Sequence, residues 1–148
     1  MPEPSPLPVD EKIAALLDSA LKLRDFFPEF TAEHAQKLFP RSGFFAYPQY
    51  STVITQGDPG NDLFVLYSGR LVVHQIRDGA VVHLAGLEPG ALIGEIALLK
   101  QVPRTATVTA AENSAVYRLV QTDLQYILAN NAELAAHLKA LVSKRLGL

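Results

Sequence analysis

The sequence predicts a mainly β fold, an eight-stranded antiparallel β-roll of jelly-roll type with helices at both ends. Two observations carry that expectation. Every glycine except Gly147 lies between Gly43 and Gly94, so the turn chemistry is confined to the middle of the chain. Helical spacing of apolar residues is confined to the two flanks.

The elements follow in chain order. Prolines stand at alternate positions from Pro2 to Pro8, so residues 1–9 are expected to be a disordered, extended arm. Residues 10–148 are expected to form a single domain, with helices over 10–40, a roll over 44–120 and C-terminal helices over 121–146. In the first zone, Ile13, Leu16, Leu17, Ala20 and Leu21 recur at helical spacing. Thr31 can cap a second short helix through Leu38, which Pro40 closes. In the middle zone, short β-rich runs start at Phe44, Thr52, Leu63, Leu71, Val81, Thr105 and Ala115. Gln56-Gly57-Asp58-Pro59-Gly60, Ser68-Gly69, Asp78-Gly79 and Pro89-Gly90 punctuate them. Ala91–Leu99, reading ALIGEIALL, has a poor strand signal and is expected to make one helical turn. In the last zone, Leu124, Ile127 and Leu128 mark one helix, and Leu134, Leu138, Leu141 and Val142 a second. Asn130-Asn131 is the kink between them.

The bulk numbers exclude several classes. A chain of 148 residues suits one domain with its own core. A net charge of −2 supplies no basic field for nucleic acid or anionic lipid. With no cysteine there is no disulfide, thiolate chemistry or cysteine metal site. That composition fits a reducing cytosol, and a cytoplasmic location is expected. No apolar run is long enough to cross a bilayer. His34, His74, His83 and His137 are scattered without metal-ligand spacing, so no metal is expected.

The informative stretch is Gly94–Val108, GEIALLKQVPRTATV. It combines a glycine where backbone must approach something, an adjacent acid, and an arginine after a proline. This set suits a phosphate–sugar clamp. Free N–H groups at a helix start favour an anion. Arg104 offers a planar fork matched to two phosphate oxygens. Glu95, an acceptor only when ionised, suits a sugar hydroxyl and repels phosphate. Thr105 adds a hydroxyl.

The segment resembles the phosphate-binding cassette of the cyclic nucleotide-binding domain family. That family includes catabolite-activator-type regulators, protein kinase A regulatory subunits and cyclic nucleotide-gated channels. The cassette pattern, G-E-[LI]-A-L-L, a spacer, then P-R-[TSA]-A-[TS]-V, is matched throughout. The upstream GDPGNDLFVLYSGRLVV, Gly57–Val73, is similar to the family's turn–strand–turn. The resemblance implies a short cassette helix and a cyclic nucleotide ligand, with no other cofactor. Cyclic AMP is expected over cyclic GMP because nothing obvious offers a carboxylate to the guanine edge, although Thr105 occupies a family position where a hydroxyl can help hold guanine. It implies that Glu95 accepts the ribose 2′-hydroxyl and that Arg104 pairs with the cyclic phosphate. It further implies that Gly94, Ile96 and Ala97 offer backbone at the cassette helix, and that Thr105 reaches phosphate or base. Val82 and Leu84 are expected at the base from strand alternation. The last helix aligns with the family's mobile helix, and Lys144 and Arg145 fall where bacterial regulators carry basic residues near the base.

A bland role stands beside each of these. Glu95 can cap a helix, Thr105 can be an ordinary strand threonine, and Lys144 and Arg145 can complement a helix C-terminus. The Leu134–Leu141 stripe reads first as packing and second as half of a homodimer seam. The expected function is non-enzymatic: a sensor coupling a cyclic nucleotide to movement of the C-terminal helix and to a downstream partner, without direct nucleic-acid or membrane binding. The alternatives are a degenerate domain acting as a protein-interaction module, and the ligand-binding piece of a longer transcription factor, channel or kinase. A catalytic cupin would need a histidine–carboxylate cluster that this sequence does not supply.

Overall fold

The computed structural model describes residues 3–95 and 102–145, with Arg145 described in its backbone alone. Two antiparallel sheets lie face to face, and four helices cover the outer face of one of them. The five-stranded sheet has the order β1(Ser5–Leu7), β2(Gly43–Tyr47), β9(Ser114–Leu119), β4(Leu63–Ser68), β7(Leu92–Ile93). The four-stranded sheet has the order β3(Thr52–Ile54), β8(Thr107–Ala110), β5(Leu71–Arg77), β6(Ala80–Leu87).

Strand β4 shows how the sequence builds two layers. Leu63, Phe64, Val65 and Leu66 are all buried, a continuous apolar run that one-sided burial would not need. Leu63 and Val65 point to a core shared with the helices. Phe64 and Leu66 point to a second core between the sheets, with Ile54, Leu71, Val108 and Val116. Fully burying each such side chain contributes about 1.5–3 kcal/mol.

The helices obey the expected signals. Asp10 caps α1(Glu11–Leu21), accepting from the N–H groups of Lys12 at 3.0 Å and Ile13 at 3.2 Å. Ile13, Ala14, Leu17 and Leu21 form its buried stripe, and Lys22 ends it in the left-handed region at φ 51°. Thr31 caps α2(Ala32–Leu38), but the reciprocal partner is His34 rather than an acid or amide: its Nδ1 accepts from Thr31 N–H at 3.1 Å. Asn131 closes α3(Gln121–Asn130), and its side chain then accepts from Leu134 N–H at 3.1 Å inside α4(Ala132–Arg145). Leu134, Leu138 and Val142 of α4 enter the helix-side core with Ile13 and Leu17 of α1. His137 adds a polar tie, its Nε2 3.0 Å from the Leu21 oxygen, with its ring beside Phe26.

Two expectations need correction. The arm is not free: Ser5–Leu7 pairs with β2, giving the roll a strand beyond the expected eight. Pro6 opposes Phe45 and has no N–H to give. Its neighbours Ser5 and Leu7 therefore bond to β2, and the alternate prolines leave the outer edge short of donors, which stops further strand addition. The second correction is Ala91–Leu99. Its start is strand, with Leu92 paired to Val65 and Ile93 to Phe64. Leu92 faces one core and Ile93 the other. The expected helical turn beyond Glu95 lies outside the described residues.

Candidate functional site

A cavity of about 240 Å³ opens between the two sheets at the end where β7 gives way to Gly94. Its apolar wall includes Ile54, Val73, Leu87, Ile93 and Val108, and its polar lining is Asn61, Glu95, Arg104 and Thr105. The volume sits just below the roughly 300–1,000 Å³ of small-ligand sites, and the mixture of apolar wall and few polar groups is typical of them.

Arg104 is placed by backbone on both sides. Its N–H donates to Asp58 O at 2.8 Å, and its own oxygen accepts from Gly57 N–H at 2.8 Å. The Gln56–Gly60 turn is itself anchored, because Gln56 N–H donates to Thr107 Oγ1 at 3.0 Å and its side chain accepts from Ile76 N–H at 2.8 Å. The guanidinium then donates from Nη2 to the peptide oxygen of Asp62 at 2.7 Å. That acceptor is a carbonyl and not a carboxylate. The Asp62 carboxylate is taken elsewhere: Arg118 donates to Oδ2 from Nε at 2.7 Å and from Nη2 at 2.6 Å, and Gln121 N–H donates to Oδ1 at 2.8 Å.

Burial consequently pushes the Arg104 pKa below the usual guanidinium range, with the Asp62 charge opposing and the Arg118 charge adding to the fall. The group stays cationic at neutral pH. Among the described residues neither Arg104 nor Glu95 is in an ion pair, although both line this cavity. A half-buried cation that meets a carbonyl and, among the described residues, no carboxylate can receive an anion, and a separate carboxylate can accept from a hydroxyl donor.

Gly94 explains the close approach. It has φ +82°, and a Cβ there would lie 2.8 Å from Arg104 Nη1 and 2.8 Å from Asp62 O. Any side chain would wedge the arginine away from its carbonyl anchor. Thr105 lines the cavity rim and is exposed, its oxygen held by Gln75 Nε2 at 2.6 Å.

Gly94, Glu95, Arg104 and Thr105 all line this one cavity. Ile96 and Ala97 lie outside the described residues, as does the Arg145 side chain, and Lys144 is exposed. Val82 and Leu84 do not line the cavity. The pairing of β5 with β6 slips between Val73↔Ala85 and His74↔His83, so Leu84 is the unpaired residue of a bulge and stays 43% exposed. Past the bulge the facing parity changes, and Leu87 supplies the wall instead. Sequence reasoning also passed over Asn61 and the inward set Ile54, Val73 and Val108. Period-2 alternation would have found the last three.

Among the described residues no three His, Asp or Glu side chains gather as a metal site. No described helix is long and apolar enough to cross a membrane.

Residues 44–131 match the family described as the cyclic nucleotide-binding domain. Cyclic AMP receptor protein of Thermus thermophilus is 33% identical over 68% of this chain and 47% of its own length. Acetyltransferase Pat of Mycolicibacterium smegmatis is 52% identical over 40% of this chain and 18% of its own. The chain therefore spans less than half of either curated relative. The crystal structure of the N-terminal domain of a Streptomyces coelicolor transcriptional regulator has a TM-score of 0.67 at 32% identity, covering 86% of this chain and 91% of that one. A cyclic nucleotide-binding domain from Methylobacillus flagellatus superposes with a TM-score of 0.78 over 98% of this chain and 84% of that one, and at 24% identity it supports the fold. Through the match over residues 44–131 and the β-roll that carries it, this chain belongs to the cyclic nucleotide-binding domain family.

Proposed function

We propose that the chain is a non-catalytic sensor that takes one cyclic nucleoside monophosphate, cyclic AMP in preference to cyclic GMP, into the cavity between its sheets. The carrying observation is that Arg104 and Glu95 share that cavity without neutralising each other. Arg104 receives the cyclic phosphate, whose single charge it balances, while Glu95 accepts from the ribose 2′-hydroxyl. The apolar wall takes the base. Among the described residues no carboxylate besides Glu95 lines the cavity, and a guanine edge would call for a further one, hence the preference for adenine. Gly94 and the cassette after it supply backbone donors, and Thr105 at the rim contacts phosphate or base.

The output of binding is a shift in α4. This helix is held by one apolar stripe and the His137 tie, and its docked and loose positions exchange as the ligand biases them. A downstream partner domain or a second copy reads that shift, in the cytoplasm.

Titration calorimetry on ligand-stripped protein tests the reading. Heat is expected with cyclic AMP, less with cyclic GMP, and far less with linear 5′-AMP, whose extra charge and free 3′-hydroxyl misfit the clamp. Silence with both cyclic nucleotides refutes it.

A further inference from the structure

The histidines divide by how they are used. His34 Nδ1 completes the cap of α2, and His137 Nε2 meets the Leu21 oxygen. Among the described residues His74 and His83 have no hydrogen bond, ion pair or ring contact. They are distant in the chain, yet the pairing of β5 with β6 sets them directly opposite each other. The hairpin fixes how closely. Its loop is Asp78-Gly79, with φ of 53° and 79°, the backbone of a type I′ turn. In such a hairpin the closing pair, Arg77↔Ala80, is hydrogen-bonded, and bonded and non-bonded pairs then alternate, so His74↔His83 is a non-bonded pair. Ile76, in the other non-bonded pair, agrees: its N–H and oxygen turn away from β6 to the Gln56 side chain, at 2.8 Å and 3.3 Å. Opposed Cβ atoms stand about 4.5–5.5 Å apart, and non-bonded pairs lie at the close end of that range. Both histidines share the outer face of the sheet. Leu71 and Val73 of β5 face the core between the sheets, which leaves His74 outward, and His83 is exposed.

We propose that His74 and His83 form a metal site, two imidazoles that chelate one divalent transition-metal ion of the Cu²⁺ or Zn²⁺ class across the β5–β6 hairpin, with water completing the coordination. Imidazole nitrogens bind such ions at about 2.0–2.1 Å, and two rings carried by adjacent Cβ atoms can converge on one ion by χ rotation. The ligand chemistry selects the metal. Imidazole suits copper and zinc, whereas Mg²⁺ and Ca²⁺ call for oxygen donors. The neighbouring pairs on this face, Ile76↔Val81 and Val72↔Gly86, carry neither a carboxylate to recruit those ions nor a cation to repel a metal.

The test uses the full chain without nucleotide, so it stands apart from the cyclic nucleotide reading. Calorimetry with ZnCl₂ compares wild type, His74→Ala and His83→Ala. Wild type should take one Zn²⁺ per chain, bind Cu²⁺ more tightly, and give no heat with MgCl₂. Each variant should bind Zn²⁺ about a hundredfold more weakly, the scale on which a second linked contact raises affinity. In NMR spectra of wild type, the imidazole signals of His74 and His83 should move together on adding Zn²⁺, while those of His34 and His137 stay. Wild-type affinity in either variant, one Zn²⁺ shared by two chains, or shifts at His34 or His137 in place of the pair overturns the site. Thermal melts of the metal-free proteins establish that each variant is folded.

Discussion

Arg104 is anchored to Asp62 through the peptide oxygen of Asp62 and not through its carboxylate. One residue thereby serves two elements. Its backbone holds the arginine of the cavity, and its side chain, neutralised by Arg118, reaches Gln121 N–H at the start of α3. Val120, the residue at the N-cap position of that helix, offers no side-chain cap. The remote carboxylate takes its place, so the arginine keeps an unspent charge while the helix keeps a satisfied first turn.

Replacing Arg104 by alanine is expected to lower cyclic AMP affinity about a hundredfold or more, since two charge-assisted hydrogen bonds are lost. Arg104→Lys should recover little, because a point charge lacks the fork. Stability should hardly fall in Arg104→Ala, because the guanidinium loses one bond to a carbonyl while a desolvated cation is removed. Calorimetry and urea denaturation of the same samples check both halves. Retained affinity would show that the phosphate sits elsewhere.

Gly94→Ala is expected to damage stability and binding together. The new Cβ would meet Arg104 Nη1 and Asp62 O, each at 2.8 Å, from a backbone at φ +82°. The backbone conformation alone costs about 1–3 kcal/mol for a residue with a side chain. Denaturation midpoints measure that cost, and a parallel titration should show about a tenfold weaker ligand, as expected for one perturbed hydrogen bond to a charged group. A variant with wild-type affinity would show that Arg104 does not need its carbonyl anchor.

Asp62→Ala should behave differently. It removes the α3 cap and the Arg118 pair, a loss of about 1–2 kcal/mol for cap and exposed ion pair together. The peptide oxygen that holds Arg104 remains, so affinity should fall much less than in Arg104→Ala. Asp62→Asn keeps an acceptor for Gln121 and should cost less than Asp62→Ala. Urea midpoints rank the three proteins, and an Asp62→Ala variant as stable as wild type contradicts the remote cap.

These residues show where sequence reading stops. The turn signals at Gly57–Gly60 and Ser68-Gly69, and the cap at Thr31, act within a few residues of themselves, so local chemistry gives them away. The cassette residues Gly94, Glu95, Arg104 and Thr105 are close in the chain and also close in space. What stayed hidden depends on distant partners or on parity. Asp62 caps a helix that begins 59 residues later. Leu84 falls out of the cavity wall because one bulge shifts the register of β6. Leu92–Ile93 is strand because β4 offers it an edge, against its own weak signal. The arm pairs because alternate prolines leave Ser5 and Leu7 able to bond on one side.

Tyr117 gives the fold an alkaline limit. Burial pushes its phenol well above the ordinary value, and the Asp123 carboxylate pushes the same way. The folded state therefore favours the protonated phenol. The stability this contributes is complete below the unfolded pKa of about 10 and is lost as pH rises through the range above it. Unfolding free energy of wild type should fall above pH 10 by up to roughly 1.4 kcal/mol per pH unit from this group. Tyr117→Phe should lack that component, and identical pH profiles of the two proteins above pH 10 would count against it.

The shift of α4 is the last expectation. Leu134, Leu138 and Val142 bury its stripe against α1, and no residue of α4 lines the cavity among the described residues. On the proposed reading the ligand would act on this helix at a distance, and the route open to it runs from Arg104 through Asp62 to the first amide of α3, then across the α3–α4 packing. A ligand that fixes Arg104 stiffens this chain and favours the docked helix by whatever contacts the loose state lacks. A coupling of about 1–3 kcal/mol changes the docking equilibrium about five- to hundredfold. Amide hydrogen exchange reads it directly. With cyclic AMP bound, exchange should slow at Gly94 and Glu95, at Gln121–Leu124, and along Leu134–Lys144. Asp62→Ala should keep the first protection and lose the other two. Protection confined to Gly94 and Glu95 in wild type would make α4 a fixed brace, with the signal leaving by another face of the roll.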